Sequence, residues 1–386
     1  MTVRCAVLTV LLALSPAGVA GQQQDTARPF VRGGVYDKPY LTTILGRTAV
    51  GGYAEAHARW QQVDGLTEEA GFVARRFNLF ASTRVTDFVR FAAELEVEEG
   101  GEEVKLEFAA IDVIIHPLLT LRGGMLLSPL GRFNLSHDSP LNEFTDRPLP
   151  STEIAGVALS EPGLGLLGAL NAGAGRITYE LYAVNGFQSG LIENSEAGTR
   201  IPLGRGNFED ENRSPAVVAR VAWSPGVFLE IGGSVHHGAW NTWQRDGLPV
   251  DDRRDLTIVV ADADVEWRGF RAAGEFVTAR IELPATLGGL FASRQRGGWG
   301  EVLHDFGHGW VRTMPASWFS AGLRFEVADF DTGIQGDMVR QAQFGLNFRP
   351  SRETVIKASY LRGQSRDRFN NPASHAGLRF SLATYF

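Results

Sequence analysis

VRFAAELEVE, residues 89–98, decides the fold. Val89, Phe91, Ala93, Leu95 and Val97 fall on one face of an extended chain. Arg90, Ala92, Glu94, Glu96 and Glu98 fall on the other. Successive side chains of a strand point to opposite faces, whereas a helix would scatter both sets around its circumference. The run is therefore a strand with one apolar and one charged face. Glu99-Gly100-Gly101-Glu102 follows, and glycine tolerates the positive φ that a hairpin needs. The pattern resumes with Val104, Leu106, Phe108 and Ala110, expected on one face.

The same two-faced pattern recurs from about residue 45 to the end. Its runs lie near 46–59, 73–85, 89–98, 103–115, 119–128, 163–173, 176–187, 215–223, 227–237, 255–267, 270–280, 297–305, 317–329, 338–349, 353–362 and 375–386. About sixteen such strands describe an all-β, transmembrane antiparallel β-barrel, which bacteria build with even strand numbers. The run at 297–305 is the least regular, because Gly297, Gly298 and Gly300 blur its alternation. Connections fall into two classes. Thr86-Asp87, His116-Pro117, Ala174-Gly175, Ser224-Pro225-Gly226, Arg268-Gly269 and Pro350-Ser351 are brief. The stretches 60–72, 129–162, 188–214, 238–254, 281–296 and 363–374 are longer and more polar. The classes mostly alternate, as short periplasmic turns and long extracellular loops do.

The last strand adds a sorting signal. Leu378, Phe380, Leu382, Thr384 and Phe386 share one face; Gly377, Arg379, Ser381, Ala383 and Tyr385 share the other. A terminal Phe on an alternating strand resembles the signal read by the bacterial barrel-assembly machinery, which becomes an expected partner. The alternative is an edge strand of a soluble sandwich. At the other end, Met1–Arg4 is basic, Cys5–Leu14 apolar, and Gly18 and Ala20 are small. This predicts a secretory signal peptide over 1–20, with an uncleaved anchor as the alternative. Residues 21–44 are then a periplasmic tail and 45–386 the barrel. Cys5, the single cysteine, would leave with the signal, so disulfides and Cys-based metal sites are excluded.

Composition agrees. A mean hydropathy of -0.08 is what apolar residues alternating with polar ones produce. No run after the N-terminus approaches the ~20 apolar residues of a membrane helix. The net charge of -7 gives no case for nucleic-acid binding. Outer-membrane lipid and small hydrophilic solutes are the partners such a barrel implies, and no cofactor is expected.

The stretch Arg76 to Phe187 resembles bacterial outer-membrane porins, specifically the phosphate-selective porin O and P family. FNLFASTRVTDFVRFAAELEVEEGG (77–101), AAIDVIIHPLLTLRGGMLLSPLGRFNLSHDSPLNEFTDRPL (109–149) and YELYAVNGF (179–187) carry the resemblance, with a weaker echo at Trp318 to Phe330. It implies a sixteen-stranded barrel, a homotrimer, and a long third extracellular loop folded into the lumen. It also implies passage of anions such as phosphate. The chain departs from it in lysine: Lys38, Lys105 and Lys357 all lie outside the candidate loop.

That loop is 129–162, which follows the fifth strand. A structureless loop of this length is uncommon unless functional. Folded inward, it would narrow the pore; the alternative is a cap outside the barrel. Arg132 and Arg147, facing Asp138, Glu143 and Asp146, are the expected constriction residues. The polar faces of the strands place Arg76, Arg84, Arg90, Arg122, Arg220, Arg271, Arg324 and Arg379 on the pore wall, beside Glu94, Glu96, Glu107, Glu180, Glu230, Asp262, Glu275, Glu326 and Lys357. Charges facing lipid at the midplane would cost roughly 2–4 kcal/mol each, which fixes that orientation. These charges serve either as wall-holding ion pairs or as a transverse field across the pore.

Other constellations are weaker. His304 and His308 would share one face only in a helix, and neighbouring glycines argue for a turn. His236 and His237 would point to opposite faces of a strand, so no metal site is expected. His137-Asp138-Ser139 holds triad residue types, but adjacent positions do not aim side chains at one another. A passive porin is the reading these observations favour. The rivals are an outer-membrane barrel enzyme and a closed structural or adhesive barrel.

Overall fold

The computed structural model describes Val35, Lys38, Thr42–Ile44 and residues 47–386 apart from 157, 193–197 and 206–207. The expected signal peptide, 1–20, lies outside the described residues. Sixteen long strands close into one antiparallel barrel. They are β1 Thr48–Val63, β2 Leu66–Arg84, β3 Val89–Glu98, β4 Glu103–His116, β5 Leu119–Leu127, β6 Ser160–Ala172, β7 Gly175–Val184 and β8 Ala216–Gly226. Then come β9 Leu229–Ala239, β10 Asp255–Trp267, β11 Phe270–Ile281, β12 Arg294–Phe306, β13 Trp318–Asp329, β14 Met338–Arg349, β15 Thr354–Arg366 and β16 Pro372–Tyr385. Each pairs with its chain neighbour, and β16 pairs with β1 from Tyr385↔Tyr53 to His375↔Val63. Closure leaves no free edge, so the backbone donors and acceptors of the wall are spent on neighbouring strands.

Phe386 takes part in the seam. Its backbone exchanges hydrogen bonds with Gly52 at 3.0 and 2.9 Å. Its ring stacks on Phe77, with centroids 5.6 Å apart. A Cβ on Gly52 would lie 2.6 Å from that ring, so glycine is what lets the terminal side chain lie across the first strand.

The wall inverts the soluble pattern. On β13, Leu323, Phe325 and Val327 are exposed outward, while Ser320, Arg324 and Glu326 are buried inward. One face expectation fails. Phe108 and Ala110 are buried and inward, not beside the exposed Val104 and Leu106. The cause is a β-bulge: Glu94 pairs with Phe108 but Leu95 with Leu106, leaving Glu107 as the extra residue. One extra residue exchanges the two faces from that point on.

The connections sort onto two rims. The loop rim carries the long segments 128–159, 185–215, 240–254 and 282–293. Two expected long loops are short. The stretch 60–72 contains only the turn Asp64-Gly65, both at positive φ (47 and 83°), and 363–374 only the link 367–371. Gln61-Gln62 and Thr67-Glu68-Glu69 are polar on both faces, which hides the strand, yet the ladder runs through them. On the turn rim the links are brief except 307–317. There Trp310 folds back onto Phe306 and Phe319, which continue an aromatic row through His304 and Phe270.

Candidate functional site

Segment 128–159 lies against the inner wall, and its two ends and its middle are held by different chemistry. Its first half contains a single helical turn, Arg132–Leu135, and its second a turn at Ser151–Ala155. Leu130, Ile154, Ala155 and Leu159 are buried in one cluster with Leu256, Ile258, Val260, Val277, Ala279 and Ile281 of β10 and β11. The upper inner face of those strands is therefore hydrocarbon, not polar. Phe187, Leu191 and Ile201 of the next long loop complete it. Gly297 sits beneath: a Cβ there would lie 2.8 Å from Pro150 and 3.1 Å from Ile154. Of the glycines that blur β12 in the sequence, Gly297 is the one that makes room for this loop.

Glu275 stitches the same region. One oxygen accepts the Phe133 amide at 2.6 Å, and the other accepts the Ser151 hydroxyl at 2.7 Å. The Trp299 indole donates to the Ser151 hydroxyl oxygen at 2.7 Å.

The middle, 137–147, meets β11, β13–β16 and β1 and is held by charge. Glu143 is buried and accepts from Arg271 at 2.5 Å, Arg349 at 2.9 Å, Ser320 at 3.0 Å and Asn347 at 2.8 Å. Burial alone would push its carboxyl up, but Arg349 and then Arg271 outweigh that and hold it at about 2. Asp146 meets Arg59 at 3.1 Å and also contacts Arg379. Phe144 packs under the Arg324 guanidinium, 4.3 Å from its ring, and over Gly345, where a Cβ would approach it to 3.0 Å. Lys357 donates to the Ser139 carbonyl at 2.8 Å.

The expectation that Arg132 and Arg147 face Asp138, Glu143 and Asp146 is corrected. Each of these five charges pairs with the wall or the N-terminal segment. Arg132 reaches Glu230 and Asp264, both at 3.7 Å, and Arg147 reaches Glu96 at 3.9 Å. Asp138 accepts from Tyr385 at 3.0 Å and from Lys38 at 2.5 Å. A loop crossing a ring of charged strands meets wall partners on every side, so sequence neighbours within it need not meet.

Six of the expected wall arginines are wired into the lumen. Arg76 bonds Glu98 at 2.9 Å and Glu55 at 3.0 Å; Arg122 holds Asp112 bidentately at 2.7 and 2.8 Å. Arg220 holds Asp262 at 2.5 and 2.7 Å, and Arg324 bonds Glu301 at 2.8 Å. Arg271 and Arg379 are those already met at Glu143 and Asp146. Arg84 and Arg90 differ: they pair with each other at the turn rim, and Arg84 is exposed.

Several residues escaped sequence reading. Arg59, Glu55 and His57 sit on the inner face of β1, where Ala54, Ala56 and Ala58 mark the outer face, a signal the alternation carries. Arg349 sits beside Phe348 in the same way. Lys38 has no such signal. It belongs to the stretch expected as a tail, yet it is buried between Glu94 (2.9 Å) and Asp138 and above the Phe80 ring (4.9 Å). Val35 is buried with Ala92, Phe108 and Leu127.

His137, Asp138 and Ser139 turn to separate partners: Glu107 at 2.8 Å, Lys38 with Tyr385, and Glu55 at 2.5 Å. They form no relay. His236 is buried against Glu161 at 3.2 Å, and His237 faces outward to Thr257.

A closed sixteen-stranded antiparallel barrel is the fold of solved outer-membrane porins. Solved structures agree in fold. An anion-selective porin from Comamonas acidovorans superposes with a TM-score of 0.59 over 88% of this chain and 99% of that one, at 10% identity. The outer-membrane channel DcaP of Acinetobacter baumannii gives 0.57 over 89% and 99%, at 11% identity. Pseudomonas putida OprB gives 0.56 over 88% and 94%, at 11% identity. No protein-family model matches the chain. An uncharacterised protein of Aquifex aeolicus (strain VF5) is 25% identical over 359 residues, covering 86% of this chain and 79% of that one.

Proposed function

We propose that the protein is a passive outer-membrane channel for small hydrophilic solutes and ions. One observation carries this: an inner wall crowded with both signs of charge is crossed by a loop whose charged middle is tied to that wall. The loop rim then faces outward from the cell and the turn rim the periplasm. In this reading 137–147 narrows the lumen, with Arg132, Asp138, Glu143, Asp146 and Arg147 at or beside the constriction. Crossing solutes need no energy source and no covalent step.

The exposure of the paired charges favours a preference for anions, phosphate among them. Arg271 keeps 28% of its side chain exposed against 3% for Glu143. Arg59 keeps 25% against 16% for Asp146, and Arg147 13% against 1% for Glu96. In these three pairs the guanidinium group is the more exposed partner, whereas Arg379 against Asp146 (12% against 16%) and Arg132 against Asp264 (13% against 29%) run the other way; rings of exposed charge set ion preference. Homotrimer assembly is part of the same proposal and rests on the family resemblance.

The second reading is a closed structural barrel, favoured by the hydrocarbon cluster beneath both long loops. Refolded protein in a planar bilayer under a salt gradient separates them. The expected result is discrete conductance steps with an anion-selective reversal potential, moving toward cations in Arg59→Gln with Arg147→Gln. A folded barrel without conductance supports the closed reading, and a cation-selective pore overturns the anion assignment.

A further inference from the structure

The outer face of the barrel carries almost no charge except at one place. On β11 to β15, near the loop rim, Arg280, Arg294, Arg296, Arg340, Arg362 and Arg366 all point outward and are exposed. Asp329 is the acid among them and pairs with Arg296 at 3.4 Å. Arg366 bonds its own loop at Asn370. The other four have no hydrogen-bond or ion-pair partner among the described residues.

Their placement is unfavourable without a ligand. Arg280 and Arg294 are directly opposite across the β11–β12 ladder. Like charges directly opposite on one sheet face repel. Arg340 pairs with Gln364 and Arg362 with Ala342, so these two arginines are diagonal neighbours on β14 and β15. Between and below them runs a shallow groove. Phe325, Val327 and Ala342 line it, and Arg340, Arg362 and Gln364 stand at its upper end. Ala342 makes the groove by being small between larger neighbours. Below, Phe276, Phe344, Tyr360 and Leu378 continue the exposed apolar surface.

We propose that this arginine band is a binding site for membrane lipids with phosphate-bearing headgroups. An acyl chain lies in the groove over Ala342, and the phosphate sits between Arg340 and Arg362. A second phosphate bridges Arg280 and Arg294. Guanidinium groups present paired donors that match phosphate oxygens. Both arginine pairs stand at the level where apolar surface ends, where a charge on the outer face costs only about 0–1 kcal/mol. The occupant is a lipid and not a free ion, because the apolar groove leads directly into the phosphate position. The inference requires that the barrel sits in a membrane, not that its pore is open.

The test is native mass spectrometry of the folded, detergent-held barrel. Three probes are added separately: bis-phosphorylated lipid A, the same lipid with its phosphates removed, and inorganic phosphate. The expected result is retention of the phosphorylated lipid, weak retention of the dephosphorylated one, and none of inorganic phosphate. In Arg340→Gln with Arg362→Gln, retention of the phosphorylated lipid falls roughly tenfold or more. Adding Arg280→Gln with Arg294→Gln lowers it further, while the β-sheet signal of the folded barrel is unchanged. Equal retention of both lipids by the unmutated protein overturns the proposal whatever the variants do. So does undiminished retention by a folded four-residue variant, or binding of inorganic phosphate with no lipid preference.

Discussion

The ends of segment 128–159 and its middle are one continuous piece of chain held inside one barrel, yet different forces hold them. The ends bury Leu130, Ile154 and Leu159 against Ile258 and Val277. The middle buries Glu143 between Arg271 and Arg349. Hydrocarbon packing is non-directional, so it anchors the segment without specifying its exact path. Ion pairs are directional and fix which wall strand each loop residue meets. The anchor is therefore separate from the part that meets solute, and each can be broken without the other.

The largest effect is expected from Glu143→Ala. It removes the only carboxylate that Arg349 pairs with among the described residues and leaves Arg271 with Asp305 alone, and removing one partner of a buried pair costs about 3–5 kcal/mol. Chymotrypsin cleavage after Phe144 should rise steeply while the β-sheet signal persists. Resistance equal to the unmutated protein would show that the charged middle holds nothing. Acid should do the same reversibly. The Glu143 carboxyl is held at about 2, below an unfolded value of about 4.3. A depressed value contributes stability that is fully present above pH ~4.3 and is lost as pH falls toward 2. Hydrogen-exchange protection of 137–147 should therefore hold at pH 5 and decay below about pH 4, and an unchanged profile in Glu143→Gln would assign that decay to another group.

Ile154→Ala breaks the other half. Removing a buried aliphatic side chain costs about 2–4 kcal/mol, and the site should loosen with no dependence on salt or acid. Trypsin would then cut after Arg132 before chymotrypsin cuts after Phe144; simultaneous release of both sites would show that the two halves let go as one. Gly297→Leu is expected to cost about 1–3 kcal/mol by overpacking against Pro150 and Ile154. Urea unfolding of the refolded barrel reads that loss, and no change would mean the loop is not seated on β12. The smallest stability effect belongs to Asp146→Asn. Asp146 and Arg59 are both partly exposed, so the loss should stay below about 1 kcal/mol. Its larger consequence is electrical. Freeing Arg59 and Arg379 should move the reversal potential further toward anions.

Most of the wall was legible. The alternation in 89–98 recurs in β10, β13 and β14, and the polar faces it assigns contain Arg122, Arg220, Arg271 and Arg324, all found in the lumen. Three things were hidden. The bulge at Glu107 exchanges the faces of β4, and nothing local marks an extra residue. Leu256, Ile258 and Val260 make the upper half of β10 apolar on both faces, because a loop covers the inner one. Lys38 lies outside any periodic run, so its place between Glu94 and Asp138 follows from contacts distant in sequence.

The strand that ends on Phe386 shows where the boundary falls. The sequence alone determined an even barrel with a polar interior, and by counting strands it placed the long inner segment after the fifth. Period two and the cost of charge in lipid are the physical reasons. Which wall each loop charge meets was decided only by tertiary structure. Arg132 to Glu230, Arg147 to Glu96 and Glu143 to Arg349 are pairings between surfaces brought together by closure of the barrel. A one-dimensional pattern records which face a side chain takes, but not what stands across the lumen from it.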